Sequence, residues 1–442
     1  MATTYLERTL GTPTSSRIWT FSAWIKRSGI SSAQHIFSID NGSARDAFSF
    51  DSDDGLRLYF NSSASPYADL STNRLFRDTS SFYHLVIAVD TTQSTADDRV
   101  KLYINGTQYT WDETTIDPSQ NYDTFNASGN PFRIGRDRTA ANYFNGLMSY
   151  VAFVDGTQEL PTIFGETDST TGEWKIKTSI TPSVAWGNNG FLILKNGNSL
   201  TDESSNSNNF TLGGGTLTKS EDNPSNVFAT LNPLDVSRLA NTDNTFSNGN
   251  LTVTDGSSNY LVAQSTLAAT TGKFYWEVKI NATTSTSVSG VGVCDFDNFL
   301  RNDGAANTAY GWIYAPDGDK RHNGTATAYG DTYAANDIIG IALDMTNGFL
   351  YFSKNGTWQN SGNPESGASG TNAAYGSVSG TIGSHAYDGS STQTHEYSFN
   401  FGNGFFGTTA VSSAGTNASG NGIFEYDTPT GYTALSTKGL NL

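Results

Sequence analysis

The segment 336–358 constrains the fold more than any other part of the chain. It holds two apolar runs, Ile338 to Met345 and Phe349 to Ser353, and an Asn-Gly pair follows each of them. Asn-Gly supplies the positive φ angles of a tight turn, and Asn-Gly next to β-type runs is the strongest short hairpin signal. The segment therefore predicts consecutive antiparallel strands and an all-β fold.

Three further motifs precede this hairpin. They are Gly272 to Val278 (GKFYWEV), Gly290 to Val293 (GVGV) and Tyr310-Gly311-Trp312. In this order, and together with the hairpin, they resemble the SPRY domain over a region from about Leu251 to Phe406. The resemblance implies a bent β-sandwich that serves as a binding module, and it leaves the ligand open because a fold does not determine a function.

The first half of the chain shows strand patterns of its own. Arg17 to Lys26 alternates apolar and polar residues, as a half-buried strand does. Two β-runs, His84 to Asp90 and Val100 to Ile104, lead into another Asn-Gly pair, and Phe132 to Gly135 precedes Phe144 to Gly146. This order resembles the laminin-G-like domain, which is a concanavalin A-type jelly roll.

Together these resemblances predict an all-β chain of two concanavalin-like jelly-roll or β-sandwich domains in tandem. All-β domains commonly run to about 200–250 residues, so 442 residues accommodate two of them. We assign 1–215 to the laminin-G-like domain, 216–250 to a linker with glycine and proline punctuation, and 251–442 to the SPRY-like sandwich with a C-terminal extension.

Charge and hydropathy exclude several classes of function. The net charge is −17, and a chain without a basic patch is not expected to bind nucleic acid. No apolar run approaches the ~20 residues that span a bilayer, so we expect no membrane insertion. The N-terminus MATTYLERTL lacks the basic start and apolar core of a signal peptide. The single cysteine, Cys294, lies in an apolar run and is expected to be a small buried hydrophobe.

Two phrases extend the resemblance beyond the two domains. Phe228 to Asp235 (FATLNPLD) and Pro429 to Leu440 (PTGYTALSTKGL) are similar to segments of bacteriophage structural proteins that pair such domains. This resemblance implies a tail-fibre or appendage protein of a virion, assembled in the host cytoplasm and in contact with other virion proteins. It also implies a homo-oligomer, with a trimer favoured. No coiled-coil heptad or collagen-like repeat is present, which argues against a fibre shaft.

Candidate ligand-binding residues cluster between Tyr310 and Asn336. Proline and glycine punctuate this interval, which predicts a surface loop or short hairpin, and loops on a rigid sandwich carry function. We expect Tyr314, Arg321 and Tyr329 to be exposed, and Trp312 to belong to the core or to the site. The candidates for stacking on and hydrogen bonding to a sugar or peptide are Tyr310, Trp312, Tyr314, Asp317, Arg321 and Tyr329.

A calcium site is a second candidate. Asp51, Asp53 and Asp54 cluster in one turn, and hard cations take oxygen ligands. Laminin-G-like domains sometimes hold Ca²⁺ through aspartates, which the resemblance extends to these three residues. The alternative is ordinary turn chemistry, because aspartate side chains accept hydrogen bonds from nearby backbone N–H groups. No other cofactor is expected.

Motifs for catalysis are incomplete. Glycan hydrolases of concanavalin-like fold pair carboxylates on one strand, but Glu425 and Asp427 lack the third acid of that motif and Pro429 follows. Gly376 to Gly380 nearly matches a serine elbow, yet no helix pattern follows it. We therefore expect a non-enzymatic protein, and the resemblance to phage structural proteins implies a virion component that recognises a host-surface glycan. The alternatives are a purely structural capsid decoration or tail adaptor, and a glycan hydrolase.

Overall fold

The computed structural model describes residues 3–61, 67–234, 244–255, 261–283, 289–298, 305–388 and 394–441. The chain forms two compact units, Met1–Lys219 and Ser220–Leu442. Both are built from antiparallel β-sheets, so the predicted all-β class is confirmed. The helical elements are short: 3₁₀ turns at Ala96–Asp98, Pro161–Ile163, Ala305–Asn307, Gln359–Ser361 and Pro364–Ser369, and an α-helix at Thr437–Leu440. No helix in these described ranges is long and apolar enough to cross a membrane.

The first unit is a sandwich of two large sheets. The strands are β1 (Tyr5–Thr9), β2 (Ile18–Arg27), β3 (Gln34–Asp40), β4 (Arg45–Phe50), β5 (Leu56–Phe60), β6 (Ala68–Ser71), β7 (Tyr83–Asp90), β8 (Val100–Ile104), β9 (Thr107–Tyr109), β10 (Glu113–Ile116), β11 (Pro131–Ile134), β12 (Gly146–Asp155), β13 (Gly165–Thr167), β14 (Trp174–Ile176), β15 (Phe191–Ile193) and β16 (Thr211–Gly214). An eight-stranded sheet has the order β10-β6-β5-β4-β3-β11-β1-β16, and a six-stranded sheet has the order β15-β12-β2-β7-β8-β9. A separate hairpin joins β13 to β14.

Strand β2 shows how the alternation in the sequence builds this sandwich. Trp19, Phe21 and Ile25 join the main core, where aromatic residues of both sheets pack. Trp24 lies on the other face and is also buried, because its ring stacks on His84 at 4.6 Å. The Trp174 indole N–H of β14 donates to His84 Nδ1 at 3.0 Å. Trp24 is thus buried against His84, whose ring also stacks on Trp174 of the hairpin β13-β14.

The second unit is also a sandwich. The strands are β17 (Thr245–Ser247), β18 (Thr252–Thr254), β19 (Leu261–Ala269), β20 (Lys273–Ala282), β21 (Ser289–Asp295), β22 (Gly311–Tyr314), β23 (Asp319–His322), β24 (Thr325–Ala328), β25 (Ile338–Asp344), β26 (Phe349–Lys354), β27 (Thr357–Trp358), β28 (Tyr375–Gly376), β29 (Ile382–Asp388), β30 (Glu396–Asn400), β31 (Phe405–Phe406), β32 (Thr409–Ala410) and β33 (Thr433–Ala434). The larger sheet has the order β17-β18-β30-β20-β25-β26-β27, with β28 beside β26 and β33 beside β20, and the other has the order β19-β29-β21-β22-β23-β24.

The predicted hairpin is the pair β25-β26. Asn355 and Gly356 connect β26 to β27 with φ angles of 49° and 79°, as a tight Asn-Gly turn requires. Ile339, Ile341 and Leu343 face the core of the second unit, where Trp276 of β20 and Phe352 of β26 also pack. The hairpin signal in the sequence is therefore confirmed.

The stretch that we predicted as a linker, 216–250, belongs largely to the second unit. The boundary between the units follows Lys219, and residues 235–243 of the stretch lie outside the described ranges. Ala229 and Leu231 are fully buried in the core of the second unit, and β17 extends its larger sheet. The glycines and prolines of this stretch signalled turns, and a local turn signal does not distinguish a linker from a packed loop.

The C-terminal extension is packed onto the second unit through a buried carboxylate. Glu277 of β20 accepts hydrogen bonds from the backbone N–H groups of Glu425 and Tyr426, each at 2.8 Å. It also accepts from the Tyr275 hydroxyl at 3.1 Å and the Asn400 amide at 3.2 Å. These contacts lie beside an apolar cluster on the outer side of the sheet, made of Phe228, Tyr275, Ala342, Tyr351, Phe424, Tyr432 and Ala434.

Replacing this carboxylate should destabilise the second unit. In Glu277→Gln the amide N–H₂ group faces backbone N–H donors, so at least one buried donor loses its acceptor. We expect the free energy of unfolding to fall by about 1–3 kcal/mol, measured by urea denaturation of the full chain. Glu173→Gln, at an exposed position of the first unit, is the matched control and should be neutral. Equal stability of the two variants would contradict the anchoring role.

A second buried carboxylate should make the first unit sensitive to pH. Asp46 of β4 accepts from the N–H of Phe125 at 2.6 Å and of Asn61 at 2.9 Å. Burial raises its pKa to about 7. The folded state keeps the proton between about pH 4 and 7, where the unfolded chain has lost it, so stability falls as pH rises through this range.

Asp46→Asn should flatten this part of the pH profile. The measurement is the free energy of unfolding of the full chain from pH 4 to 8, compared with Asp97→Asn, a change at an exposed position. If Asp46→Asn and Asp97→Asn keep the same slope as the parent chain, Asp46 does not titrate as described.

Candidate ligand-binding site

An open groove of about 410 Å³ lies beside β22 in the second unit. Its floor is aromatic and its rim is polar. Tyr310, which precedes β22, is 41% exposed there. The groove is lined by Asp295, Asn298, Ala309, Tyr310, Trp312, His322, Tyr375, Gly376, Ser377, Ser379 and Gly380.

The aromatic floor is a fixed stack. The rings of Trp312 on β22 and His322 on β23 are 5.2 Å apart and nearly parallel, at 11°. Tyr375 contacts His322 edge-on at 6.0 Å, and its hydroxyl donates to the Ile313 carbonyl at 2.8 Å. His322 Nδ1 lies 2.8 Å from the Gly311 carbonyl, which accepts only, so Nδ1 carries the hydrogen. These hydrogen bonds hold the rings in place before any ligand arrives.

The polar rim is built around Asp295. This buried carboxylate accepts from the N–H of Thr381 at 3.1 Å, the N–H of Asp297 at 3.2 Å and the Asn298 amide at 2.7 Å. Gly380 is required beside it, because its φ is 118° and a Cβ there would lie 2.5 Å from the carboxylate carbon. Ser377 and Ser379 are exposed on the same loop. The rim thus offers hydroxyl and amide groups around one carboxylate.

The structure divides the predicted aromatic residues between groove and core. Trp312 lines the groove, although only 6% of it is exposed. The expectation that Tyr314 and Tyr329 are exposed is wrong. Tyr314 is fully buried, packs against Tyr329 at 5.5 Å and Phe352 at 5.3 Å, and donates its hydroxyl to the Asp331 carbonyl. Trp312 and Tyr314 lie on the same face of β22, and only Trp312, at the start of the strand, also borders the groove.

The predicted charged residues are paired with each other outside the groove. Arg321 and Asp317 form an ion pair, and Asp319 lies 3.6 Å from the same guanidinium. Arg321 is on β23, so the surface hairpin that the glycines predicted is present as β23-β24. Arg321 is also less exposed than expected, since 15% of its side chain is accessible. The structure does not bring Arg321 and Asp317 together with Trp312 in one site.

Asp295, His322 and Tyr375 are among the groove residues that were not predicted. Asp295 ends β21, next to the predicted Gly290 to Val293 run, and Tyr375 precedes the near-elbow Gly376 to Gly380. The glycines of this string indicated a loop with an unusual backbone, but we considered the loop only as a serine elbow for nucleophilic catalysis. In the described chain it leads into β29 and not into a helix.

The proposed calcium ligands each have a separate partner. Asp54 pairs with Arg27 at 3.0 Å and Arg77 at 2.8 Å. Asp53 accepts from the Gly55 N–H at 3.0 Å, and Asp51 lies 3.6 Å from Arg57. Two guanidinium groups next to Asp54 disfavour a cation at this turn, and calcium binding there stays a prediction. Across the described ranges, no group of three or more His, Cys, Asp or Glu side chains is placed to hold a metal.

Each of the two units matches a known protein family. Residues 2–163 match the concanavalin A-like lectin/glucanases superfamily, and residues 273–403 match the SPRY domain. The chain carries a concanavalin-like domain and a SPRY domain in tandem. The groove lies within the SPRY domain.

Solved structures show similarity at low identity. The SPRY domain of human HERC1 is 21% identical, over 35% of this chain and 91% of that chain, with a TM-score of 0.30. Stonustoxin is 16% identical, over 39% of this chain and 27% of that chain, with a TM-score of 0.29. A SAP-like pentraxin from Limulus polyphemus is 18% identical, over 34% of this chain and 70% of that chain, with a TM-score of 0.26. At these values we draw nothing about ligands.

The division between core and groove tyrosines predicts different effects on stability. Tyr314→Ala removes a buried ring and should lower the free energy of unfolding by about 3–5 kcal/mol. Tyr310→Ala truncates an exposed ring and should cost less than about 1 kcal/mol. Urea denaturation of the two full-length variants provides the comparison. Equal losses, or a larger loss for Tyr310→Ala, would contradict the placement of Tyr310 at the groove.

Proposed function

We propose that this chain is a non-enzymatic glycan-binding protein and that the SPRY groove is its recognition site. The observation that carries the proposal is the exposed Tyr310 beside the Trp312–His322 stack. A pyranose ring presents an apolar C–H face and a rim of hydroxyls. The groove presents aromatic rings and a rim of serine, asparagine and aspartate groups, which match those two features.

Size and charge support the same ligand class. Ligand pockets commonly have volumes of about 300–1,000 Å³, and the groove has about 410 Å³. A neutral saccharide gains little from ion pairs, and only 15% of the residues in this chain are charged. Stacking and hydrogen bonds would therefore supply most of the affinity.

Binding is favoured over hydrolysis because of the carboxylates at the groove. Glycosidases use two carboxyl groups about 5–9.5 Å apart. Among the residues that line the groove, Asp295 is the acidic one, and three N–H donors already engage its oxygens. Glu425 and Asp427, the closest sequence match to a hydrolase motif, instead accept hydrogen bonds from Ser412 and Thr416.

The proposal also covers the particle in which the protein is found. We infer a bacteriophage virion component of the tail-fibre or appendage kind, which contacts other virion proteins and recognises a host-surface glycan. This part rests on the resemblance of Phe228 to Asp235 and of Pro429 to Leu440 to phage structural proteins. Immunogold labelling of purified particles tests it: label on the tail supports the appendage, and label on the head supports a capsid decoration.

Truncating the exposed tyrosine should weaken glycan binding. We would screen the full chain on an array of bacterial surface glycans and titrate the strongest binder by calorimetry. Tyr310→Ala should then lose about 1–3 kcal/mol of binding free energy, because a stacking surface is removed. Tyr310→Phe keeps the ring and should retain most of the affinity.

Tyr67→Ala is the matched control, since Tyr67 is an exposed tyrosine of the first unit with 50% exposure. It should leave the affinity unchanged. Loss of binding in Tyr67→Ala, with Tyr310→Ala unaffected, would move the site to the concanavalin-like domain. Absence of binding to every glycan on the array would favour the purely structural alternative.

A further inference from the structure

The strand β24 ends the smaller sheet of the SPRY domain and is fully exposed. All four of its residues, Thr325–Ala328, lie at the surface. On one side β24 pairs with β23, and no strand of the described chain pairs with its other side. An open strand edge offers backbone N–H and C=O groups to another strand.

The turn fixes which backbone groups point outward. Asn323 and Gly324 connect the two strands with φ angles of 50° and 71°, so His322 and Thr325 form a hydrogen-bonded pair in this two-residue hairpin. The hydrogen bond from the Tyr329 N–H to the Gly318 carbonyl, at 3.1 Å, fits the same alternation of hydrogen-bonded and non-hydrogen-bonded pairs along the hairpin. Hydrogen-bonded pairs alternate along an antiparallel ladder, so Ala326 and Ala328 direct their N–H and C=O groups away from β23.

Cover of this edge ends at the turn. The Gly324 N–H donates to the Ala306 carbonyl at 3.0 Å, so the segment 305–307 covers the first outward position. Among the hydrogen bonds of the described residues, none engages the outward groups of Ala326 or Ala328. Within the part of the chain that the structure describes, the next two outward positions therefore have no hydrogen-bond partner.

Strand β24 lacks the sequence features that normally protect an edge strand from pairing. Natural edges carry lysine, proline or a bulge that prevents pairing, and Thr-Ala-Thr-Ala contains none of these. The basic residues of the neighbouring strand are engaged elsewhere, because Lys320 donates to the Ala374 carbonyl and Arg321 pairs with Asp317. The edge is both open and uncharged.

We propose that β24 is an interface at which a second copy of this chain adds its own β24 in antiparallel orientation. The outward groups fix the register: Ala326 lies opposite Ala328 of the other copy, and Thr327 lies on the two-fold axis. Thr327 then faces its own counterpart as a non-hydrogen-bonded pair, and cross-strand threonine pairs are favourable. Each copy carries a net charge of −17, so a contact between copies is best placed on a strand without charges.

This interface is independent of the glycan groove. The two-fold contact joins two chains, whereas the virion resemblance implies a trimer, and sedimentation distinguishes their masses.

Full-length protein should show reversible dimerisation between micromolar and near-millimolar concentration. Ala326→Pro removes an outward N–H that the hairpin does not use, and Thr327→Lys places two cations on the axis. Both variants should remain monomeric at every concentration.

A disulfide tests the register directly. In a non-hydrogen-bonded antiparallel pair the Cα atoms are about 4.5 Å apart, which a disulfide spans. Thr327→Cys should therefore give a reducible, covalent dimer on mild oxidation. Thr325→Cys is the matched control, because its sulfur would lie far from its counterpart in this register, and it should stay monomeric. The native Cys294 is buried.

Three results would overturn the proposal. The first is a monomeric parent chain, together with a Thr327→Cys variant that forms no more covalent dimer than the Thr325→Cys variant. The second is a dimer that persists in both Ala326→Pro and Thr327→Lys, since it would use another surface. The third is a trimer in which the Thr327→Cys variant does not cross-link. Circular dichroism of each variant, compared with the parent chain, establishes that the hairpin changes leave the fold intact.

Discussion

The alternation of side chains along β22 decides what the SPRY domain can present to a ligand. Trp312 and Tyr314 point toward the core and Ile313 points to the opposite face, where it packs with Cys294 and Tyr387. A strand has a side-chain period of two, so a shift by one residue would exchange these faces. Tyr310, Trp312 and Tyr314 share this phase, so their position along the chain decides what each contacts. Tyr314 at the end of β22 is a core residue, while Trp312 at the start of the strand and Tyr310 before it reach the groove.

The fold could be predicted from the sequence where local signals were strong. The Asn-Gly turns at 347–348 and 355–356 delimited β25 and β26, and the alternation in Arg17 to Lys26 identified β2. These signals are local, because turn angles and strand period depend on a few neighbouring residues. The family resemblances then supplied the tandem arrangement, which no local pattern determines.

The site was only partly predictable, because its contacts join residues that are far apart in the sequence. Proline and glycine marked 315–335 as a surface hairpin, and β23-β24 is one. The same signal could not show that Tyr329 turns back onto Phe352, since that contact joins residues 23 positions apart. Asp295, Trp312 and Tyr375 come from three separate strands, so their meeting at one groove depends on sheet order. Likewise, no local pattern indicated that the C-terminal extension, which contains Glu425, would pack against Glu277.

We propose that a glycan stacks on Tyr310 in the SPRY groove. The decisive test is a crystal structure of the full chain with the tightest-binding glycan from the array. We expect a sugar ring against Tyr310, with its hydroxyls hydrogen-bonded to the rim formed by Asp295, Asn298 and the serines at 377 and 379. A glycan bound to the concanavalin-like domain, with the groove empty, would contradict it.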